Sequence, residues 1–337
     1  MNEKRTQIPY LHVLRILAIF MVIMLHSVSP YISNPDYYGT NSWYIYLFLN
    51  AFSRGGVPLF FMISGFLLLS DKSSLCFKAF YTKRLPRILV PLVLWNVLYY
   101  VFYCVFNKQP FGIFDFFAQV INCGTAYHLW YIYTLFGIYL LVPFVKRIVD
   151  SCSMKQLTWF VVLICLCPTI RPFINTVTPM YIYLFDPLFN GYIGYFVLGY
   201  ILGKTEFNSK QTSVVALLGI AALVICMAGN HKASSKETVN LVFNSGYNIC
   251  FYAIGVAFFC VFKKYSRINC EKTEKLLKHF SKATFGMYLV HVAVMDIITR
   301  YFMIEESPIV STAYLFALTL PCSYVFSYIA GKIKYLT

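Results

Sequence analysis

The sequence predicts an all-α fold: a polytopic, integral membrane helical bundle of about ten transmembrane helices, in one domain over residues 1–337. Of the 337 residues, 59% are apolar and 12% are charged, whereas soluble chains have roughly 45–50% apolar and about 25% charged residues. The apolar residues form runs close to the roughly 20 residues that a helix needs to cross a bilayer. These two observations exclude a soluble enzyme.

The predicted spans follow from the apolar runs taken in order. The windows are about 11–31, 43–69, 88–106, 127–145, 157–170, 187–203, 212–229, 240–262, 282–300 and 310–331. The fifth and sixth are short, and the amphipathic segment 111–121 is suited to the membrane interface, so nine and eleven spans stay open alternatives. The first window imitates a secretory signal, but His12 and Arg15 interrupt its start, and we interpret it as an uncleaved span.

The Lys and Arg residues give the chain a net charge of +15, yet their positions argue against nucleic-acid binding. A nucleic-acid-binding protein carries its Lys and Arg residues on a solvated face beside a soluble core, whereas here these residues lie between apolar runs. Short cytoplasmic loops of membrane proteins carry an excess of Lys and Arg. With the N-terminus inside, 22 of the 28 bases fall in cytoplasmic segments. This distribution predicts that both termini face the cytoplasm.

Two ionisable residues of the first span are candidate functional residues, because lipid cannot solvate them. Arg15 and His26 are eleven residues apart, which is within some 20° of three helical turns and about 16 Å along the axis. One helix face therefore carries a cation near its cytoplasmic end and an imidazole in its outer half. The alternative is that Arg15 extends to the inner headgroups while His26 ends the helix on the outer side.

Arg54 lies midway along the second span, too deep to reach the headgroups easily. A buried guanidinium requires a partner, an anionic ligand or water. The adjacent Gly55-Gly56 pair and Pro58 predict a kink or an opening that frees backbone amides to line a cavity. A purely structural helix break is the alternative. Ser64 follows on the same span, as a candidate substrate contact or as an ordinary small residue at a helix contact.

His128 and His291 are the remaining histidines at outer or middle depth. His128 opens the fourth span within an expected aromatic belt, and His291 lies near the middle of the ninth. Each taken singly is a packed core residue more often than a catalyst, but together with the ionisable groups above they predict a shared polar cavity. Asp296 and Arg300, four residues apart, predict a local ion pair.

The first inner loop carries the basic run KRLPR at residues 83–87. Positive-inside bias alone accounts for it. The alternative is that Lys83, Arg84 and Arg87 bind a phosphorylated ligand that arrives from the cytoplasm. No metal is predicted, because the histidines lack ligand spacing and the cysteines form no C-x-x-C pair.

Five sequence blocks together resemble membrane acyltransferase family 3. Arg15 and His26 are separated by ten residues, as in the R-x10-H signature of that family's first span. Residues 58–66 (PLFFMISGF) are similar to its F-F-x-x-S-G-F motif, and residues 83–88 (KRLPRI), with Pro91, resemble its basic start of the third span. Residues 128–131 (HLWY) and 281–291 resemble two later blocks. Residues 53–65 and 128–143 resemble most closely the branch that includes the enterobacterial common antigen O-acetyltransferase.

The resemblance implies transfer of an acyl group, usually acetyl, from cytoplasmic acetyl-CoA to a hydroxyl of a surface glycan or lipid-linked saccharide, in the inner (cytoplasmic) membrane of a bacterium. It also implies that Arg15 and His26 are essential. We expect His26 to act as the general base, with a covalent acyl-histidine as a less favoured variant. The phosphates of acetyl-CoA are expected at Lys83, Arg84 and Arg87. Substrate contacts are expected from Arg54, Ser64, His128 and His291.

Two other classes of function fit the same features. A transporter or flippase of a small molecule or lipid-linked sugar would use the polar cavity and the kinked helix, but inverted repeats typical of transporters are not visible. A non-catalytic membrane partner of a polysaccharide assembly complex is the third alternative. The acceptor sugar, the choice between acetyl and another acyl group, and the oligomeric state are left open by the sequence.

Overall fold

The computed structural model describes residues 9–177, 191–244, 248–266, 268, 270–304, 307–333 and 336. These residues form thirteen α-helices and no β-strand. The helices are α1 (Pro9–Ile32), α2 (Asn41–Ser53), α3 (Gly56–Leu69), α4 (Phe77–Lys83), α5 (Pro86–Phe106), α6 (Ile113–Ile121), α7 (Trp130–Ser151), α8 (Met154–Val177), α9 (Tyr192–Lys204), α10 (Ser209–Ala233), α11 (Ile249–Tyr265), α12 (Glu271–Tyr301) and α13 (Pro308–Ala330). The predicted all-α class is confirmed for this part of the chain.

Seven helical segments of the described chain are long and apolar enough to cross a membrane. They are Pro9–Ile32, Asn41–Leu69, Phe77–Phe106, Tyr127–Ser151, Ser209–Ala233, Glu271–Tyr301 and Pro308–Ala330. Each coincides with one of the ten predicted spans, so a multi-pass membrane protein is confirmed.

The three other predicted spans overlap shorter helices. Among the described side chains of α8, Met154–Leu166 form an apolar segment, while α9 has 13 residues and α11 has 17. Residues 187–190 and 245–247 of the predicted spans lie outside the described ones. The number ten and the cytoplasmic termini therefore remain predictions. The amphipathic segment forms α6, which has nine residues with none buried and is too short to cross a bilayer.

The described residues divide into two compact units. The first contains Met1–Leu67 and Ser153–Thr284, and the second contains Leu68–Cys152 and Phe285–Thr337. In the first unit, the predicted opening of the second span is confirmed, because α2 ends at Ser53 and α3 begins at Gly56. We call residues 54–55 the α2–α3 turn.

Close helix contacts in the first unit require glycine at two positions of α3. A methyl group on Gly56 would lie 2.7 Å from the Ala18 carbonyl oxygen of α1. A methyl group on Gly65 would overlap the Phe196 backbone of α9. The serine–glycine pair at residues 64–65 thus marks a point where two helix backbones meet, as small residues do between membrane helices.

Buried polar contacts hold the second unit together. The Tyr133 hydroxyl of α7 donates to Asn96 Oδ1 of α5 at 2.9 Å, and the Thr125 hydroxyl donates to the same oxygen. Trp95 Nε1 donates to the Leu336 carbonyl at 2.9 Å. Because each of these groups is satisfied by a residue distant in sequence, the contacts fix Thr125, α7 and Leu336 against α5.

The predicted ion pair between Asp296 and Arg300 is wrong. Asp296 accepts a hydrogen bond from the Tyr103 hydroxyl at 2.9 Å. Arg300 donates to the Phe106 carbonyl and lies over the Phe106 ring, 4.3 Å from its centroid. Both side chains turn toward α5, since there they find a hydrogen-bond partner and an aromatic face instead of an exposed pair worth only about 0.2–0.5 kcal/mol.

Cys270 provides a test of the predicted orientation, because this exposed thiol directly precedes α12 on a segment predicted to be cytoplasmic. The backbone N–H and hydroxyl of Thr273, together with the Lys272 N–H, lower the pKa of the Cys270 thiol below the ordinary 9.0. A lowered pKa leaves more reactive thiolate at neutral pH. We expect a variant that retains only Cys270 to react with a membrane-impermeant maleimide in inside-out vesicles, with a rate that rises at lower pH than for an ordinary thiol.

The control for this labelling is Thr273→Val in the same background. Loss of the hydroxyl should shift the pH midpoint of labelling upward, while the side of the membrane that is labelled stays the same. Labelling only from the outside of intact cells would contradict the predicted orientation. A pH profile indistinguishable between Cys270 alone and the Thr273→Val form would contradict the hydroxyl contact.

Candidate functional site

The first part of the candidate site is one face of α1. The helix runs without a break from Pro9 to Ile32, so Arg15 and His26 keep the predicted spacing of about 16 Å on one side. Both side chains are half-buried. The sequence-based prediction of a shared face is therefore confirmed by the continuity of the helix.

The start of α3, directly after the α2–α3 turn, packs against α1. Gly56 comes closest to Ala18, Met21 and Val22. Val22 is seven residues after Arg15 and four before His26, which places it within about 20° of the direction of Arg15. The opening in the second span is thus located along α1 between Arg15 and His26.

Arg54 lies in this turn, and its guanidinium is held by neutral oxygens. Its Nε donates to Asn50 Oδ1 at 3.1 Å, and its Nη1 donates to the Asn244 carbonyl at 2.8 Å. Within the described ranges, no carboxylate pairs with it. A charge with neutral partners is not compensated internally, so the turn presents a positive potential that suits an anionic ligand or a developing negative charge.

Three buried asparagines hold Arg54 in place. Asn244 Nδ2 donates to Asn50 Oδ1 at 2.8 Å, and Asn230 Nδ2 donates to Asn244 Oδ1 at 2.8 Å. Asn230 Oδ1 in turn accepts the Phe243 N–H at 3.0 Å. We call Asn50, Asn230 and Asn244 the asparagine network. The sequence reasoning missed it, and the only available signal is an uncharged amide inside or beside an apolar run.

Ser64 lies on α3 in the same unit and is half-buried. It precedes Gly65, where α3 meets the backbone of α9. A side chain on a helix is held more precisely than one on a loop, which suits a hydroxyl that orients a substrate.

The second unit brings His128 and His291 together. Their rings form a T-shaped pair with centroids 5.1 Å apart. His128 Nε2 lies 3.3 Å from the Leu289 carbonyl, and His291 Nδ1 lies 2.6 Å from the Tyr288 carbonyl. The Tyr288 hydroxyl donates to the His128 carbonyl. Both imidazoles are buried to 1% and 0% exposure, in contrast to the half-buried His26, so a supporting role in this polar core fits them better than proton transfer.

The three cations of the basic loop in the second unit differ in exposure and in their ion-pair partners. Arg84 forms an ion pair with Asp71 and donates to Ser73 Oγ at 2.9 Å. Lys83, the last residue of α4, and Arg87, in the first turn of α5, are both exposed. Because the Asp71 carboxylate already compensates Arg84, Lys83 and Arg87 are the better candidates to meet a phosphate at this loop.

The predicted site residues are thus divided between the units. Arg15, His26, Arg54 and Ser64 belong to the first, and Lys83, Arg84, Arg87, His128 and His291 to the second. In the described portion, no three His, Cys, Asp or Glu side chains are grouped so that they could hold a metal ion.

Comparison with protein families identifies the class of this chain. Residues 8–328 match the family model of the acyltransferase domain. Searches of curated protein sequences and of solved structures found no match. The chain belongs to this acyltransferase family, and its long apolar helices make it a multi-pass membrane acyltransferase. The resemblance seen in the five sequence blocks is confirmed at the level of the family.

Proposed function

We propose that the protein is a membrane O-acetyltransferase that moves an acetyl group from cytoplasmic acetyl-CoA to a hydroxyl of a cell-surface or lipid-linked saccharide. The observation that carries this is the α1 face with Arg15 and His26, against which Gly56 is packed at the start of α3, directly after the turn that contains Arg54. We place the chain in the branch of the enterobacterial common antigen O-acetyltransferase, and in the cytoplasmic membrane of a bacterium, on its sequence blocks alone.

His26 is the general base of the proposed reaction. Its imidazole takes the proton of the acceptor hydroxyl as the oxygen attacks the thioester carbonyl, and it returns that proton to the leaving thiolate of coenzyme A. The products are an acetyl ester and free coenzyme A. An imidazole suits this role because its unperturbed pKa of about 6.5 lies near neutral pH. His26 is half-buried on α1, whereas His128 and His291 are buried.

Arg54 stabilises the tetrahedral oxyanion in this proposal. Its Nε and Nη1 are committed to Asn50 and Asn244, whereas its Nη2 donates to no residue in the described part of the chain. The asparagine network fixes the guanidinium before the substrate arrives, and pre-oriented donors of this kind contribute about 3–4 kcal/mol each. The turn lies along α1 between Arg15 and His26, where the thioester carbonyl is expected.

We assign the residues that contact the donor and the acceptor from the exposure and charge of their side chains. Lys83 and Arg87 are exposed cations without a carboxylate partner among the described contacts, and we assign them to the phosphates of acetyl-CoA, with Arg84 in a supporting role. Ser64 is assigned to the acceptor. His128 and His291 are assigned to the acceptor as residues that act through the polar core of the second unit, because both rings are buried.

The test of this function uses inside-out membrane vesicles that contain the protein, radiolabelled acetyl-CoA and a panel of lipid-linked glycans. We expect release of coenzyme A in equal amount to label incorporated in a glycan. Vesicles without the protein provide the background. Glycan uptake without coenzyme A release would favour a transporter instead, and glycan acetylation that survives loss of both Arg15 and His26 would favour a non-catalytic partner of another enzyme.

A further inference from the structure

A second polar cluster lies on α1 and α12, and the proposed reaction uses none of its residues except Arg15. His12 of α1 and Ser281 of α12 are joined by a hydrogen bond of 2.6 Å between Nδ1 and Oγ. The two residues are 7% and 5% exposed. Both belong to the first unit. The contact links residues that no sequence spacing connects, so it is a property of the tertiary structure alone.

Charged groups surround this pair. Arg15, Lys278, Glu274 and Lys282 all lie close enough to the His12 ring to act on it electrostatically. On α12, positions 274, 278, 281 and 282 are spaced by four, three and one residues, which places them along one face of the helix. Arg15 follows His12 by three residues on α1. Three cations against the one Glu274 carboxylate leave the surroundings of the ring with an excess of positive charge.

The imidazole of His12 has unused hydrogen-bonding capacity at the centre of these charges. Its Nε2 is buried and has no hydrogen-bond partner among the described residues. Leaving a buried polar atom unpaired costs about 1–3 kcal/mol. Lys278 and Arg15 are half-buried and Lys282 is exposed, so the cluster extends from the protein surface to this atom. An anionic group bound among the cations would neutralise their excess positive charge and form a hydrogen bond with His12 Nε2.

We propose that His12, Arg15, Lys278, Ser281 and Lys282, the α1–α12 cluster, bind a phosphate group. When the Ser281 hydroxyl donates to His12 Nδ1, the imidazole proton is on Nε2 and can be donated to a phosphate oxygen, while ammonium and guanidinium groups add charge-assisted hydrogen bonds. A phosphoryl group with two negative charges matches three cations offset by one carboxylate. The phosphate comes either from coenzyme A, a source that rests on the proposed function and replaces Lys83 and Arg87 as the site of that phosphate, or from the headgroup of an anionic lipid.

The test compares two charge-matched double variants of the purified, full-length protein. Lys278→Gln with Lys282→Gln removes two cations of the cluster. Lys272→Gln with Lys275→Gln removes two exposed lysines from the first turns of the same helix. The probes are coenzyme A, inorganic pyrophosphate and pantetheine, which lacks phosphate, with binding measured by calorimetry at fixed ionic strength. Lipid binding is measured by the thermal unfolding midpoint of the protein in nanodiscs of phosphatidylglycerol, compared with its midpoint in nanodiscs of phosphatidylcholine.

We expect the cluster variant to bind coenzyme A and pyrophosphate about tenfold or more weakly, which corresponds to the loss of about 1.4 kcal/mol of charge-assisted hydrogen bonding. Pantetheine binding and the control variant should be unchanged. If coenzyme A binding is unchanged but the stabilisation by phosphatidylglycerol is lost in the cluster variant alone, the phosphate is that of a lipid. Equal behaviour of both double variants with all the phosphate probes would overturn the proposal.

Acetyl transfer measured on the same preparations separates this inference from the proposed function. A protein that binds coenzyme A through the cluster but transfers no acetyl group contradicts the proposed reaction and leaves the phosphate site intact. A protein that transfers acetyl groups while its phosphate binding is independent of the cluster contradicts the phosphate site alone.

Discussion

Replacement of His26 by alanine is expected to reduce acetyl transfer by about 10²–10⁴-fold, because a positioned acid–base group contributes a factor of that size. The substitution removes the imidazole in the outer half of the α1 face that also carries Arg15. His26 is half-buried, so its loss leaves a small gap on one face of a long helix and not a large cavity in the core. The protein should therefore insert and fold as the wild type does, while binding of coenzyme A persists. The measurement is the initial rate of label transfer from acetyl-CoA to glycan at saturating donor.

The matched control for this variant is His279→Ala. His279 is exposed on α12, and it has no role in the proposed reaction. This variant should transfer acetyl groups at the wild-type rate. If His26→Ala is folded, binds coenzyme A and retains full activity, the assignment of the general base is wrong.

Replacement of Gly65 by alanine is expected to destabilise the protein by about 3 kcal/mol or more, the upper range for forced overpacking. The added methyl group overlaps the Phe196 backbone of α9, and backbone cannot move aside as a side chain can. On the other helix, a methyl group on Gly199 would overlap the Met62 backbone in the same way. The two helices must separate, and the contacts around the Ser64–Gly65 pair are lost. Thermal unfolding in detergent, followed by size-exclusion chromatography, measures the effect.

Gly137→Ala serves as the control for this glycine. Gly137 lies within α7, and a methyl group placed there meets nothing within 4 Å. Alanine is the better helix former by about 1 kcal/mol, so this variant should be as stable as the wild type or slightly more so. Equal unfolding temperatures for the two variants would contradict the close contact between α3 and α9.

The asparagine network changes the interpretation of Arg54. From the sequence, a deep arginine beside two glycines is a helix break or a ligand site, and the structure contains the break. The chain opens at residues 54–55, and the freed guanidinium is oriented by Asn50 and the Asn244 carbonyl. Since these partners are neutral, they position the charge without cancelling it. This is the arrangement that oxyanion stabilisation requires.

The cations of the basic run at residues 83–87 and the lysines of α12 differ in their partners, which their sequence positions do not show. The charge of Arg84 is compensated by the Asp71 carboxylate, which is 13 residues away in the sequence. Lys278 and Lys282, whose sequence positions indicate only the orientation in the membrane, lie beside a buried imidazole. Position in the fold, and not membership in a basic run, decides which cation is available to an anion.

The sequence by itself determined the class of this protein, the approximate spans and the α1 face. These features depend on composition and on the local 3.6-residue period of a helix, so no knowledge of neighbours is needed. The opening at Gly55-Gly56 was predictable for the same reason, because glycine weakens a helix wherever it occurs.

Only the tertiary structure decided which polar groups meet. The Arg54–Asn244 contact joins residues 190 apart and the His12–Ser281 contact joins residues 269 apart, and in a bundle the apolar pattern of one helix does not specify which helix packs against it. The Asp296–Arg300 prediction failed for this reason, since Tyr103 and Phe106 of a neighbouring helix offered better partners than the helix itself. Periodicity places a residue on a face, and packing then decides what that face contacts.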